Sequence, residues 1–166
     1  MPPAIAQLPA VFLFEAGSLE SKILKLMGAI VGALALFAVS AQAGQPHRLA
    51  LQISDNTPEK MNAVLNVAAN VSKYYADKGE EVEIQIIAFN AGLHMLRDDT
   101  SPVKPRLRSF KQGMPNVSFI ACDNTWHSMT RSEGKEPPLV ENVEHVEAGV
   151  VRLIELSEKG WTLVRP

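Results

Sequence analysis

Stretches with strand and helix patterns alternate along the chain from residue 48 to the carboxyl terminus. In "EVEIQIIAF", polar and apolar residues alternate at first and the stretch then becomes wholly apolar, as in a strand that enters a covered sheet. A helix is predicted to precede this stretch in the chain. Thr57 and Pro58 predict its start, and Gly79 predicts its end. Five strand-like stretches are found: 48–54, 81–89, 116–122, 143–149 and 161–165. The alternation predicts one α/β domain with a mostly parallel sheet covered on both faces.

The composition is that of a globular domain. Of 166 residues, 46% are hydrophobic and 20% are charged, unlike a disordered or fibrous chain. Sixteen Lys and Arg residues against eighteen Asp and Glu residues give a net charge of -2. No basic excess is therefore available to neutralise a phosphate backbone, and we expect no nucleic-acid partner.

The amino-terminal part of the chain has the layout of a secretory signal peptide. Lys22 and Lys25 supply the positive end, and residues 26–39 carry no charge. Ala41 and Ala43 then place small residues where a signal peptidase cleaves. The uncharged run is shorter than the about 20 apolar residues that a transmembrane helix needs.

This layout predicts two parts of the chain. Residues 1–43 would form an N-terminal extension and signal peptide cleaved after Ala43, and residues 44–166 would form the mature domain. We expect the mature protein to be periplasmic or secreted. It would contact a membrane only if the signal segment stayed uncleaved.

Three predicted strand ends carry polar or small residues. Open α/β sheets bind ligands beyond the carboxyl ends of their strands, where helix N-termini present free N–H groups. The three ends read "SDN" at 54–56, "NAG" at 90–92 and "CDNT" at 122–125. The third end contains the single cysteine and is the most plausible place for chemistry.

Cys122 is either a working thiol or a small apolar filler. A thiolate at a helix N-terminus is stabilised by the helix dipole and by free amides, and the thiolate is the nucleophile. The negative charge of Asp123 opposes this, and without a second cysteine any disulfide would be intermolecular. Free cysteines more often behave as buried small hydrophobes. The residues alone leave both interpretations open.

Other residues near the strand ends are candidates for the same pocket. Asn90 could donate to an anionic or sulfur-bearing ligand, and Gly92 permits a tight backbone turn. Turn formation alone is an equally good explanation for both. His94 and His127 follow strand ends and could act as a base or hold a thiolate, or they could be ordinary surface residues. Since no two histidines lie four residues apart, we predict no metal site.

The order and spacing of several segments resemble the DsrE-like family of sulfur-relay proteins, in particular its exported, stand-alone, single-cysteine members. The segments are "LALQISDNTPEKMNAVLNVAAN", "VEIQIIAFNAGLHML" followed by "SPV", "VSFIACDNT" and "VEAGVVRLIELSEKGWTLVRP". Together they span nearly all of residues 48–166. The resemblance implies a three-layer α/β/α sandwich with a mostly parallel sheet of about five strands, which assembles into homo- or hetero-oligomers.

In the better-known relatives, a cysteine at the matching strand end accepts sulfur as a persulfide and passes it to a partner. By position, Cys122 would be that acceptor. Those relatives are cytoplasmic and serve transfer RNA thiolation or sulfur oxidation, pathways from which a signal peptide would separate this chain. The Asp-Asn-Thr-Trp sequence after Cys122 also differs from the small apolar residues expected there.

The leading hypothesis is therefore an exported sulfur carrier or thiol relay, with a persulfide on Cys122 and no cofactor. Amides around Asp123, Asn124 and Thr125 would stabilise the sulfur anion, and the residues predicted to line the pocket are Asn90, Gly92 and His94. We expect a homo-oligomer whose partner is a sulfur donor or acceptor protein or a small sulfur compound. The alternative is a non-catalytic oligomeric binding module with an inert, buried Cys122. A metal-dependent hydrolase ranks third.

Overall fold

The structure is a computed structural model, and it describes residues 45–166. The predicted signal peptide and its cleavage site after Ala43 lie outside the described residues. Within residues 45–166, no helix combines the length and the apolar character that crossing a membrane requires.

Within residues 45–166, five strands and four α-helices alternate, with one 3₁₀ helix after the second strand. The strands are β1 (His47–Ile53), β2 (Val82–Ala88), β3 (Val117–Cys122), β4 (Val143–Val146) and β5 (Thr162–Val164). The helices are α1 (Pro58–Lys78), the 3₁₀ helix (Asn90–Leu96), α2 (Lys104–Gly113), α3 (Asp123–Glu133) and α4 (Gly149–Glu158).

The sheet is parallel throughout and confirms the predicted fold class. Its strand order is β4-β3-β2-β1-β5. The chain adds β2, β3 and β4 in one direction and then returns to the opposite edge for β5. Because strand crossovers are right-handed, the first three connections place their helices on one face, and the last places α4 on the other face.

Within residues 45–166, two hydrophobic clusters are found, one on each face of the sheet. The larger cluster lies under α1, the 3₁₀ helix and α2, and its buried side chains include Leu51, Leu65 and Phe110. The smaller cluster lies under α4 and includes Cys122 and Leu156. Three layers result, with the sheet in the middle, as expected for an α/β/α sandwich.

Local sequence signals explain the start and end of α1. The Thr57 side chain accepts a hydrogen bond from the Lys60 amide at 3.3 Å, and Pro58 occupies the first turn. Gly79 ends the helix with φ 69°, a left-handed conformation that favours glycine. The predicted boundaries of this helix are confirmed.

Candidate functional site

A cavity of about 660 Å³ lies at the carboxyl edge of the sheet, between α3 and the first turn of α4. Its lining residues come from the ends of β2 and β3, from α3 and from the start of α4. They are Phe89, Asn90, Cys122, Asn124, Thr125, Ser128, Met129, Arg131, Ser132, Ala148, Gly149 and Val150. Its position matches the place where open α/β sheets bind ligands.

Cys122 is the last residue of β3 and the N-cap of α3. Successive strand residues point to opposite faces, so Ala121 joins the larger cluster and Cys122 joins the smaller one under α4. Its residue surface is only 5% exposed, although it lines the cavity. The Sγ atom donates a weak hydrogen bond to the Glu147 carbonyl oxygen at 4.0 Å. The thiol is therefore a covered group at the cavity wall, not a freely exposed one.

Gly149 brings the first turn of α4 close to Cys122. A Cβ atom at this position would lie 3.1 Å from Phe89 Cβ, 3.2 Å from Ile87 Cγ2 and 3.3 Å from Cys122 Cβ. Such distances are tighter than ordinary packing allows, so a side chain here would push the turn outward. The glycine thus sets how near the helix N-terminus can approach the thiol.

Two helix N-termini meet at the cavity. The Asn124 amide donates to the Glu147 carbonyl at 3.1 Å, which joins the start of α3 to the segment that leads into α4. Neither N-cap residue, Cys122 or Ala148, caps its helix with a side-chain hydrogen bond. First-turn amides have no acceptor within their own helix. The positive ends of both helix dipoles therefore favour an anion near Cys122.

Asn90 joins the cavity wall to α3 through its backbone. It has φ 48°, a left-handed conformation that Asn tolerates better than most residues. Its amide donates to the Thr125 hydroxyl at 2.9 Å, which ties the end of β2 to the first turn of α3. The structure thus brings together four of the predicted site residues: Cys122, Asn90, Asn124 and Thr125.

Gly92 and His94 do not line this cavity. A Cβ atom on Gly92 would lie 2.2 Å from the Ile53 carbonyl oxygen, so the glycine lets the 3₁₀ helix pack against the end of β1. The His94 Nε2 atom lies 3.0 Å from the Thr100 hydroxyl and 3.1 Å from its carbonyl oxygen. Both residues therefore have packing partners away from Cys122.

The Asp123 carboxylate turns towards β4. Its Oδ1 atom lies 2.6 Å from His145 Nδ1, and Asp123 does not line the cavity. The carboxylate of Asp123, which follows Cys122 in sequence, is therefore paired with a histidine on β4. Ala121 pairs with His145 in the parallel register, which explains the contact. Only the strand pairing reveals this partner.

The first strand end forms a separate group. The Arg165 guanidinium donates to the Ser54 hydroxyl at 3.4 Å and to the Asp55 carboxylate at 3.2 Å.

His127 is exposed on α3, with its ring centroid 5.2 Å from that of Trp126, and does not line the cavity. Within residues 45–166, no group of three or more His, Cys, Asp or Glu side chains is arranged to hold a metal ion.

Sequence reasoning missed the side of α3 that lines the cavity. Ser128, Arg131 and Ser132 lie there with Asn124. Residues three and four apart share a side of a helix, so the spacing from Asn124 was the available signal. Arg131 is the one charged residue among those that line the cavity.

The far end of α3 is anchored by Arg97, whose side chain is only 11% exposed. Its guanidinium donates to the Asp99 carboxylate at 2.7 and 2.8 Å and also binds Glu133, the last residue of α3. The hydrogen bonds that Arg97 donates hold the pKa values of Asp99 and Glu133 below their ordinary range. The same hydrogen bonds, to Asp99 and then to Glu133, raise the pKa of Arg97. The helix that carries the cavity wall is thus fixed at both ends.

The comparisons with known proteins give a fold and no function. No family model matches the chain, and no curated protein matches it. Among solved structures, the chain is similar to the protein of unknown function MTH1491 from Methanobacterium thermoautotrophicum, with 25% identity and a TM-score of 0.61. The match covers 72% of this chain and 99% of the other. This similarity supports the three-layer α/β architecture, and the DsrE-like resemblance stays a prediction.

Proposed function

We propose that this protein carries sulfane sulfur as a persulfide on Cys122. The observation that carries the proposal is the position of the thiol: it lines a cavity of about 660 Å³ where two helices start without side-chain caps. The positive ends of two helix dipoles at such a place stabilise an anionic sulfur. The resemblance to the DsrE-like family supports the same chemistry.

The proposed transfer needs no cofactor and no net oxidation. The Cys122 thiolate attacks the outer sulfur of a donor persulfide, and a new S–S bond forms to Sγ. The S–S bond of the donor breaks, and the donor leaves as a thiolate with the electron pair. The outer sulfur stays on Cys122 until an acceptor thiolate removes it by the same exchange in reverse.

The partners are a sulfur donor and a sulfur acceptor, each either a protein or a small sulfur compound. We also propose that the carrier is exported to the periplasm or secreted, because of its predicted signal peptide. In an oxidising compartment, burial protects a lone cysteine thiol from oxidation. The 5% exposure of Cys122 under the first turn of α4 is consistent with that need.

A second candidate function is a non-catalytic oligomeric binding module, and one observation favours it. Besides Tyr74, every exposed large hydrophobic residue found within residues 45–166 lies on α4 or β5: Val150, Val151, Ile154, Leu163 and Val164. An apolar patch of this kind often marks an interaction surface. A homo-oligomer that covers this patch is compatible with both functions, whereas an inert Cys122 fits only the second.

The test is the intact mass of the purified protein after exposure to inorganic polysulfide, beside Cys122→Ser. We expect the wild type to gain whole sulfur atoms that a reducing agent removes, and the variant to gain none. No gain in the wild type, with Cys122 also resistant to alkylation in the folded state, would refute the carrier and leave the binding module.

A further inference from the structure

One wall of the Cys122 cavity is a polar side of α3. Asn124, Ser128 and Ser132 follow at intervals of four residues, and Arg131 lies three residues after Ser128. This spacing places their side chains along one side of the helix. The wall therefore presents an amide, two hydroxyls and a guanidinium group to a molecule in the cavity.

Arg131 is a cation to which the described part of the chain offers no acidic partner. No ion pair of Arg131 is found within residues 45–166. The acidic residues at the two ends of α3 are bound elsewhere, Asp123 by His145 and Glu133 by Arg97. Among residues 45–166, no Asp or Glu lines the cavity. Together with the two helix N-termini, Arg131 makes the cavity electropositive.

The distance along the helix sets the size of the ligand. Arg131 lies nine positions after Cys122, a rise of roughly 13.5 Å at 1.5 Å per residue. Helical side chains lean towards the helix N-terminus, which on average shortens the span from an arginine head group to the start of its helix. A molecule that contacts both groups therefore carries its sulfur and its anionic group several bonds apart. A cavity of about 660 Å³ has room for such a molecule.

We infer that the molecule entering this cavity is a low-molecular-weight thiol persulfide that carries a carboxylate, with Arg131 binding the carboxylate while the sulfur reaches Cys122. This inference rests on the proposed persulfide chemistry. The Cys122 thiolate takes the outer sulfur, with its proton, from R–S–SH, and R–S⁻ leaves with the electron pair. Arg131 determines specificity and takes no part in the bond exchange.

The experiment compares two donors that differ in charge: the persulfide of glutathione, and the persulfide of its diethyl ester. The rate at which the purified protein gains one sulfur atom is measured by intact mass with each donor. The donors also differ in intrinsic reactivity. The readout is therefore the rate with glutathione persulfide divided by the rate with the diethyl ester persulfide, and this ratio is compared between wild type and Arg131→Gln. The matched control is Lys135→Gln, which removes an exposed cation that does not line the cavity.

We expect Arg131→Gln to lower this ratio about fivefold, as the loss of one charge pair at close range predicts, and Lys135→Gln to leave it unchanged. Thermal unfolding checks that both variants are folded. An unchanged ratio in Arg131→Gln overturns the inference while sulfur gain preserves the carrier function. An equal fall in both variants indicates general charge steering and also overturns it. No sulfur gain with either donor overturns the inference, and no gain from inorganic polysulfide as well refutes the carrier function.

Discussion

The two faces of the sheet differ in the number of apolar residues that they bury. Within residues 45–166, nineteen buried residues form the cluster under α1, the 3₁₀ helix and α2, whereas seven form the cluster under α4. The smaller cluster contains Cys122, and the outer side of α4 leaves Val150, Val151 and Ile154 more than half exposed. Buried apolar area is the main favourable term in folding. The larger face therefore supplies most of the stability.

Truncation of one buried leucine on each face tests this difference directly. Leu65→Ala on α1 opens a cavity in the larger cluster, and we expect a loss of about 3–5 kcal/mol in the free energy of unfolding. Leu156→Ala on α4 is expected to lose less, about 2–3 kcal/mol, because the thinner layer can collapse into the space. Urea unfolding measures both. Equal losses would contradict the assignment of stability to the larger face.

The two close-packed glycines provide a second comparison. In Gly92→Ala, the new methyl group would meet the Ile53 carbonyl at 2.2 Å, so the backbone must move, and we expect a loss of about 2–3 kcal/mol. In Gly149→Ala, the neighbours are carbon atoms of side chains at 3.1 to 3.3 Å, and we expect a loss of about 1 kcal/mol.

The readouts of the two glycine variants should also differ. Gly149→Ala shifts the turn that covers the thiol, so the alkylation rate of Cys122 in the folded state should change. Gly92→Ala should lower stability and leave that rate unchanged under native conditions. If only Gly92→Ala altered the alkylation rate, Gly149 would not control access to the thiol.

The Arg97 cluster predicts how pH acts on the end of α3. Hydrogen bonds from Arg97 lower the pKa values of Asp99 and Glu133 in the folded state. Their stabilising effect is complete above the unfolded pKa values, about 3.9 and 4.3, and is lost as the pH falls through the lower folded values. Arg97→Gln should thus destabilise the protein near pH 7 and by less near pH 2. A stability difference that is independent of pH would show that packing of the Arg97 chain dominates.

The smallest effect on monomer stability is expected at the exposed patch of α4. Ile154→Asp replaces a side chain that is 54% exposed, so the free energy of unfolding of the monomer should change by less than about 0.5 kcal/mol. If the patch mediates the proposed homo-oligomer, the same variant should dissociate it in sedimentation experiments. Glu158→Ala, on the same helix, serves as a control. An oligomer that survives Ile154→Asp would place the interface elsewhere.

Much of the fold could be predicted because it depends on local pattern. Alternation of strand and helix periodicity indicated the α/β class, and Thr57, Pro58 and Gly79 marked the ends of α1. The fourth strand was predicted over 143–149 but ends at Val146, since α4 starts at Gly149. Gly149 indicates close packing of the start of α4 against its neighbours, and sequence reasoning did not use it.

The candidate site was predictable only in part. Strand-end residues such as Cys122 and Asn124 reach one edge of the sheet because parallel strands share a direction. The cavity wall from Ser128 to Ser132 was missed, because it lies beyond the first turn of α3. The His145 partner of Asp123 was missed as well, since it comes from the next strand.

The sequence by itself determined the alternation of elements, the helix caps and the position of one cysteine at a strand end, because each depends on residues close together in the chain. Only the tertiary structure decided which face Cys122 points to, that Gly149 covers it, and that Gly92 packs on Ile53. These contacts join segments far apart in sequence. They depend on strand order and crossover handedness, which no local pattern encodes.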